Sequence, residues 1–83
     1  MPRDKFLSYL KNEKRYSPLT ISAYSTDLTQ FYNFIKAQYD LTRIEEVTHG
    51  FIRSWIVEMI DAGIATRSVN RKITTLKSYY KFL

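Results

Sequence analysis

Arginine, asparagine, threonine and lysine recur through the last stretch of the chain at helical spacing. Arg67, Asn70, Arg71, Thr74 and Lys77 fall three or four residues apart, and guanidinium forks, ammonium groups and short polar side chains in that pattern suit an anion carried on a regular backbone. From Gly63 onwards there are five basic residues, Arg67, Arg71, Lys72, Lys77 and Lys81, and no acidic one. The residues before Gly63 carry eight charges of each sign, so the formal net charge of +5 belongs to this one segment. The chemistry is capture of a polyanion, with nucleic acid the first candidate. A smaller group stands earlier in the chain, where Lys14 and Arg15 precede Ser17 and Thr20. Cations there either contact phosphate or complement the C-terminus of a preceding helix.

Catalytic and metal chemistry find no support in the residue types. His49 is the one histidine and has no nucleophile in view, which makes it a surface or capping residue. There is no cysteine, no cluster with metal-ligand spacing and no glycine-rich phosphate loop, so no cofactor is expected. Eighty-three residues make one domain, and the absence of cysteine fits a reducing compartment, giving a cytoplasmic expectation. No apolar run reaches the roughly 18–20 residues of a membrane span, and the N-terminus lacks a signal-peptide pattern. A pI near 9.6 agrees with an anionic partner.

Periodicity places these groups on helices. Two glycines and two prolines are too few for an all-β chain with many turns, and the pattern predicts an all-α, compact four-helix bundle with helices near 3–14, 18–37, 49–62 and 67–82. Phe6, Leu7 and Leu10 give the first an apolar face. Ser17-Pro18 marks the second, with Ser17 as cap and Pro18 at the first helical position. Ile21, Tyr24, Leu28, Phe31, Tyr32 and Ile35 line its core side. Leu41, Ile44 and Val47 pin the connection that follows, and Asp40, Glu45 and Glu46 make this the acidic end. Thr48 is the expected cap of the third helix, whose apolar residues from Phe51 to Ile60 cover a wide arc, as in a helix touched on several sides. Gly63 is expected in the left-handed position that ends it, and Thr66 is the expected cap of the fourth.

On that fourth helix Val69, Ile73, Leu76, Tyr80 and Leu83 form the predicted core stripe. Arg67, Arg71, Thr74 and Ser78 lie opposite, Asn70 and Lys81 at the edge, and Lys77 at the margin. Tyr79 is expected at the boundary with a solvated hydroxyl, and Phe82 falls on the polar side, as a contact to a linker or a further domain. Ser17–Ile21 echoes Ala65–Val69, which allows two helix N-termini to be presented side by side.

Two motifs carry a resemblance. Phe6-Leu7-x-Tyr9-Leu10 followed by Ser17-Pro18-x-Thr20-Ile21-x-x-Tyr24-x-x-Asp27-Leu28-x-x-Phe31 resembles the start of phage-integrase-type tyrosine recombinases, nearest to the Xer type. Arg67-Ser68-Val69-Asn70-Arg71-Lys72-Ile73, with Leu76-Lys77-Ser78-Tyr79-Tyr80 and Phe82-Leu83, is similar to the last helix of the same domain. The resemblance implies a SAM-like core-binding domain that packs over the major groove of double-stranded DNA. With a separate catalytic domain of the same parent chain it would form a clamp around a recombination half-site. The catalytic residues would lie in that second domain, which would begin beyond Leu83, and other recombinase protomers would be partners in a synaptic complex. The DNA-facing elements would be the second and fourth helices, offering Ser17, Thr20, Arg67, Asn70, Arg71, Thr74 and Lys77. Ala65 departs from the family pattern, where a capping serine is common.

A helical protein-interaction module that docks an acidic partner through the basic last helix is the alternative, because one bundle fold serves both uses. An independent helix-turn-helix regulator is a third, but the sequence offers it no dimer surface.

Overall fold

Capping chemistry sets where the helices begin and end. The computed structural model describes residues 2–40, 47 and 49–83. They form α1 (Pro2–Asn12), α2 (Pro18–Tyr39), α3 (His49–Asp61) and α4 (Thr66–Phe82), and no strand occurs among the described residues. Ser17 caps α2: its hydroxyl accepts the Thr20 N–H at 3.2 Å, and Pro18 occupies the first turn. At the far end Asp40 turns left-handed (φ 55°) and gives its N–H to the carbonyls of Ile35 and Lys36. Gly63 (φ 82°) ends α3 in a Schellman motif, with Ile64 N–H donating to Met59 O at 3.1 Å and Gly63 N–H to Ile60 O at 3.0 Å. The expected contributions of Leu41, Ile44, Glu45, Glu46 and Thr48 lie outside the described residues.

Two helix ends differ from the expectation. The first helix stops at Asn12, and Lys14 and Arg15 lie in the turn beyond it. There Arg15 is left-handed (φ 54°) and Tyr16 N–H closes back onto Leu10 O at 3.0 Å. The cap of α4 is Ala65, whose extended backbone (φ −60°, ψ 143°) has the cap geometry, and Thr66 is already helical. The alanine side chain has no oxygen to offer, so α4 starts without a side-chain cap.

The core gathers around α2. Leu28, Phe31 and Ile35 meet Phe6 and Leu10 of α1, Trp55 and Met59 of α3, and Val69, Leu76 and Tyr79 of α4. Phe31 stands 5.0 Å from Trp55 and Phe6 5.2 Å from Tyr79, centroid to centroid, at tilted angles favourable for aromatic pairs. Partly buried Val47 packs against this core. Helix α3 is less enclosed than its apolar arc predicts: Val57 and Ile60 remain exposed.

Helix α4 is rolled relative to the predicted stripe. Its buried residues are Val69, Lys72, Thr75, Leu76 and Tyr79, while Ile73 and Tyr80 are half-buried and Leu83 is exposed. Tyr79, expected at the boundary, has no exposed surface, and its hydroxyl lies 2.9 Å from that of Tyr32. Phe82, expected on the polar side, packs at tilted angles against Phe6 and Tyr9, with ring centroids 5.4 and 5.1 Å away. The first turn of α1 is tied down by Arg3, which donates to Thr29 Oγ1 at 2.6 Å.

The missing cap on α4 is a correctable defect. Ala65→Ser is expected to stabilise the bundle by about 1 kcal/mol. The check is a urea titration with a raised midpoint and an unchanged m-value.

Candidate nucleic-acid interface

The face that α4 presents to solvent is set by a buried polar cluster on its opposite side. Asp27 sits on the inner side of α2, between Tyr24 and Phe31, and has no exposed surface. A bare carboxylate there would be costly to desolvate, so its oxygens must be bonded. Arg71 donates Nη2–H to Oδ1 at 2.8 Å and Nε–H to Oδ2 at 3.2 Å. Lys72 Nζ donates to Oδ1 at 2.9 Å, and Thr75 Oγ1 donates to Oδ2 at 2.9 Å. Lys72 is only 5% exposed, and its ammonium also reaches Gln30 Oε1 at 2.5 Å. Burial alone would push the Asp27 carboxyl up; the hydrogen bonds from Arg71, Lys72 and Thr75 and the charge of Lys72 outweigh it, holding the group below the usual carboxylate range. The same bond to Asp27 raises Arg71 above its ordinary value against the effect of its own burial.

This cluster redistributes the charge counted in the sequence. Lys72 belongs to the interior, and Arg71 shares a carboxylate while keeping a side chain that is 46% exposed. Arg67, Asn70, Thr74, Lys77 and Lys81 are exposed along α4, where the three-and-four spacing stacks them on one outward face. From Arg67 to Lys81 that face runs about 20 Å, at about 1.5 Å per residue. Thr74 Oγ1 donates back to Asn70 O at 3.0 Å.

The second group of candidates lies at the far end of the same helix. Lys14 and Tyr16 line a cleft with Ser78, Lys81 and Phe82, which puts the α1–α2 turn beside the C-terminal end of α4. The start of α2 is therefore near the end of α4, and the two helix N-termini are not side by side as the echo allowed. Lys14 Nζ is 6.0 Å from the centre of the Tyr9 ring, at the outer limit of a cation–π contact. Arg15, Ser17 and Thr20 follow, Arg15 and Ser17 exposed and Thr20 half-buried, with the Ser17 and Thr20 hydroxyls 3.0 Å apart.

Four helices of this order, a basic outward face on the last and a capped Ser-Pro start to the second narrow the comparison. Residues 4–83 match the family described as phage integrase, N-terminal SAM-like domain. The chain belongs to that family. Among curated relatives, this integrase SAM-like domain is 38% identical over 96% of its length to tyrosine recombinase XerC of Chlorobaculum parvum. It is 39% identical over 96% of its length to the XerC of Oceanobacillus iheyensis, and 34% over 99% to that of Lacticaseibacillus casei. It spans 25%, 26% and 28% of those three relatives. No solved structure matches it significantly.

Sequence periodicity missed Asp27, Lys72 and Thr75 as a unit. The signal was present in each helix: Asp27 lies three residues after Tyr24 and four before Phe31, on a core side, and Lys72 lies between Val69 and Leu76 on another. A negative and a positive charge on two apolar faces mark a buried pair. Among the described residues no group of three or more histidine, cysteine or carboxylate side chains is placed to hold a metal, and no helix is long and apolar enough to cross a membrane.

Asp27→Ala is expected to destabilise the SAM-like domain by roughly 3–5 kcal/mol, because it strands the Lys72 ammonium in the core. The ionised carboxylate stabilises the fold fully above the unfolded value near pH 4, and that stabilisation is lost as pH falls through the lower folded value. Unfolding of the wild-type protein and of Asp27→Asn, followed by circular dichroism from pH 7 to pH 2, should therefore give midpoints that converge at the acid end.

Proposed function

We propose that this chain is the DNA-binding module of a site-specific tyrosine recombinase. It lies along the major groove of a recombination half-site, while a catalytic domain elsewhere in the parent chain closes on the other side of the duplex. Breaking and rejoining of strands belongs to that domain, and no residue of this chain is assigned a catalytic role. Other protomers of the recombinase join it in a synaptic complex.

The observation that carries this reading is the outward face of α4, with Arg67, Asn70, Thr74, Lys77 and Lys81 exposed on a helix that has no carboxylate. The family and its recombinase relatives support it. Arg67, Arg71, Lys77, Lys14 and Arg15 contact phosphates, which fix the register of the domain on DNA. Asn70 and Thr74 face base edges. Asn pairs with adenine through two hydrogen bonds, and a Thr74 hydroxyl that donates back to the Asn70 carbonyl turns acceptor lone pairs towards the amino group of adenine or cytosine. Ser17 and Thr20 approach the backbone at the start of α2.

With about four phosphates engaged, the logarithm of the affinity for duplex DNA should fall against the logarithm of salt with a slope of about −3 to −4. Arg67→Ala should flatten that slope by about 1 and weaken binding evenly across sequences, whereas Asn70→Ala should lose roughly 1–3 kcal/mol at one base position. Fluorescence anisotropy over a salt series makes both measurements. If the wild-type domain shows no salt-sensitive binding to duplex, an acidic protein partner for α4 replaces DNA.

A further inference from the structure

We propose that Asp27 is a positioning residue for DNA binding: it holds the Arg71 guanidinium so that its remaining N–H groups meet a backbone phosphate. This rests on the reading that α4 faces the duplex. A guanidinium has five N–H donors, and Asp27 takes two of them through the fork at 2.8 and 3.2 Å. Three remain for an outside acceptor, on a side chain that is 46% exposed. Asp27 itself is fully buried and cannot touch DNA. Asp27 is held in turn by Lys72 and Thr75, which fixes the acceptor that Arg71 bonds. The Asp27–Arg71 pair is neutral by itself, and the buried Lys72 brings the cluster of one carboxylate, one guanidinium and one ammonium to a net charge of +1.

For loss of Asp27 alone, electrostatics and positioning predict opposite signs; for loss of Asp27 and Lys72 together, electrostatics predicts no net change and positioning a weaker complex. Removing an anion from beneath a DNA-binding face strengthens binding by Coulomb attraction alone. If instead Asp27 pre-orders Arg71, removing it returns the ordering of a long side chain to the binding step and weakens affinity by about 2- to 10-fold.

The test is anisotropy with a random-sequence DNA duplex, using the 83-residue chain. Asp27→Asn/Lys72→Met removes one charge of each sign and leaves no ammonium stranded, and its folding is checked by urea titration. It should bind about 2- to 10-fold more weakly than wild type. Combined with Arg71→Ala, it should bind no worse than Arg71→Ala alone. Arg71→Lys keeps the charge and Asp27 but not the fork, and should also bind several-fold more weakly; it keeps the inference open to refutation if the double variant fails to fold. Wild-type affinity in the folded double variant or in Arg71→Lys overturns the inference, as does full additivity with Arg71→Ala. Should Arg71→Ala itself bind like wild type while salt-sensitive binding persists, Arg71 is no contact and only the inference fails. Should wild type show no salt-sensitive binding, the DNA reading fails first.

Discussion

A carboxylate with no access to water ties the last helix of this bundle to the longest one. Four donors on α4 side chains converge on the two oxygens of Asp27, two from Arg71 and one each from Lys72 and Thr75. Desolvating these groups is unfavourable in itself, and the arrangement survives because every charge has a partner at hydrogen-bond distance. None of the buried side-chain polar atoms among the described residues is left without one. The geometry is demanding. Residues 71, 72 and 75 can reach one carboxylate only if α4 is rolled to a particular angle about its axis.

That angle has consequences on both sides of the helix. Inward, it brings Val69, Leu76 and Tyr79 against α1 and α2, and turns Lys72 into a core residue. Outward, it exposes Arg67, Asn70, Thr74, Lys77 and Lys81 together. The interior polar cluster and the exterior basic face are thus two results of one rotational setting. Arg71 stands at the junction, bonded to the core below and half open to solvent above. In a domain of this size the apolar core is small, and the buried ionic cluster lies directly against it.

The distribution of charge follows the same logic. The sequence counts five cations on the terminal segment, but Lys72 is withdrawn from the surface and Arg71 is matched by a carboxylate. The α1–α2 turn restores some of what is lost. Lys14 comes to the C-terminal end of α4 beside Lys81, where Tyr16 and Phe82 complete the cleft. A strip of positive groups then extends from the start of α4 to the turn between the first two helices, although its members are far apart in the chain. In this integrase SAM-like domain the aromatic residues at that end, Phe6, Tyr9 and Phe82, pack on one another and anchor the strip to the core.

What the sequence determined by itself is local. Ser17-Pro18 and Gly63 mark helix ends because capping needs only a few neighbouring residues. Three-and-four periodicity identified the four helices, and two separated motifs were enough to place the family. Most candidate contact residues on α4 could be named, since exposure on one side follows from periodicity. The tertiary structure decided the rest. Lys72 and Tyr79 are buried and Leu83 is exposed because the roll of a helix is set by what it packs against, and periodicity places a stripe only to within about one residue position, or about 100°. The partners that set the roll, Asp27 with Arg71, Lys72 and Thr75, lie 44 to 48 residues apart, so spacing within one helix can mark each charge as inward but cannot say which groups meet. A side chain's charge is written in the chain, but whether that charge faces solvent or a buried partner depends on which helix folds beside it.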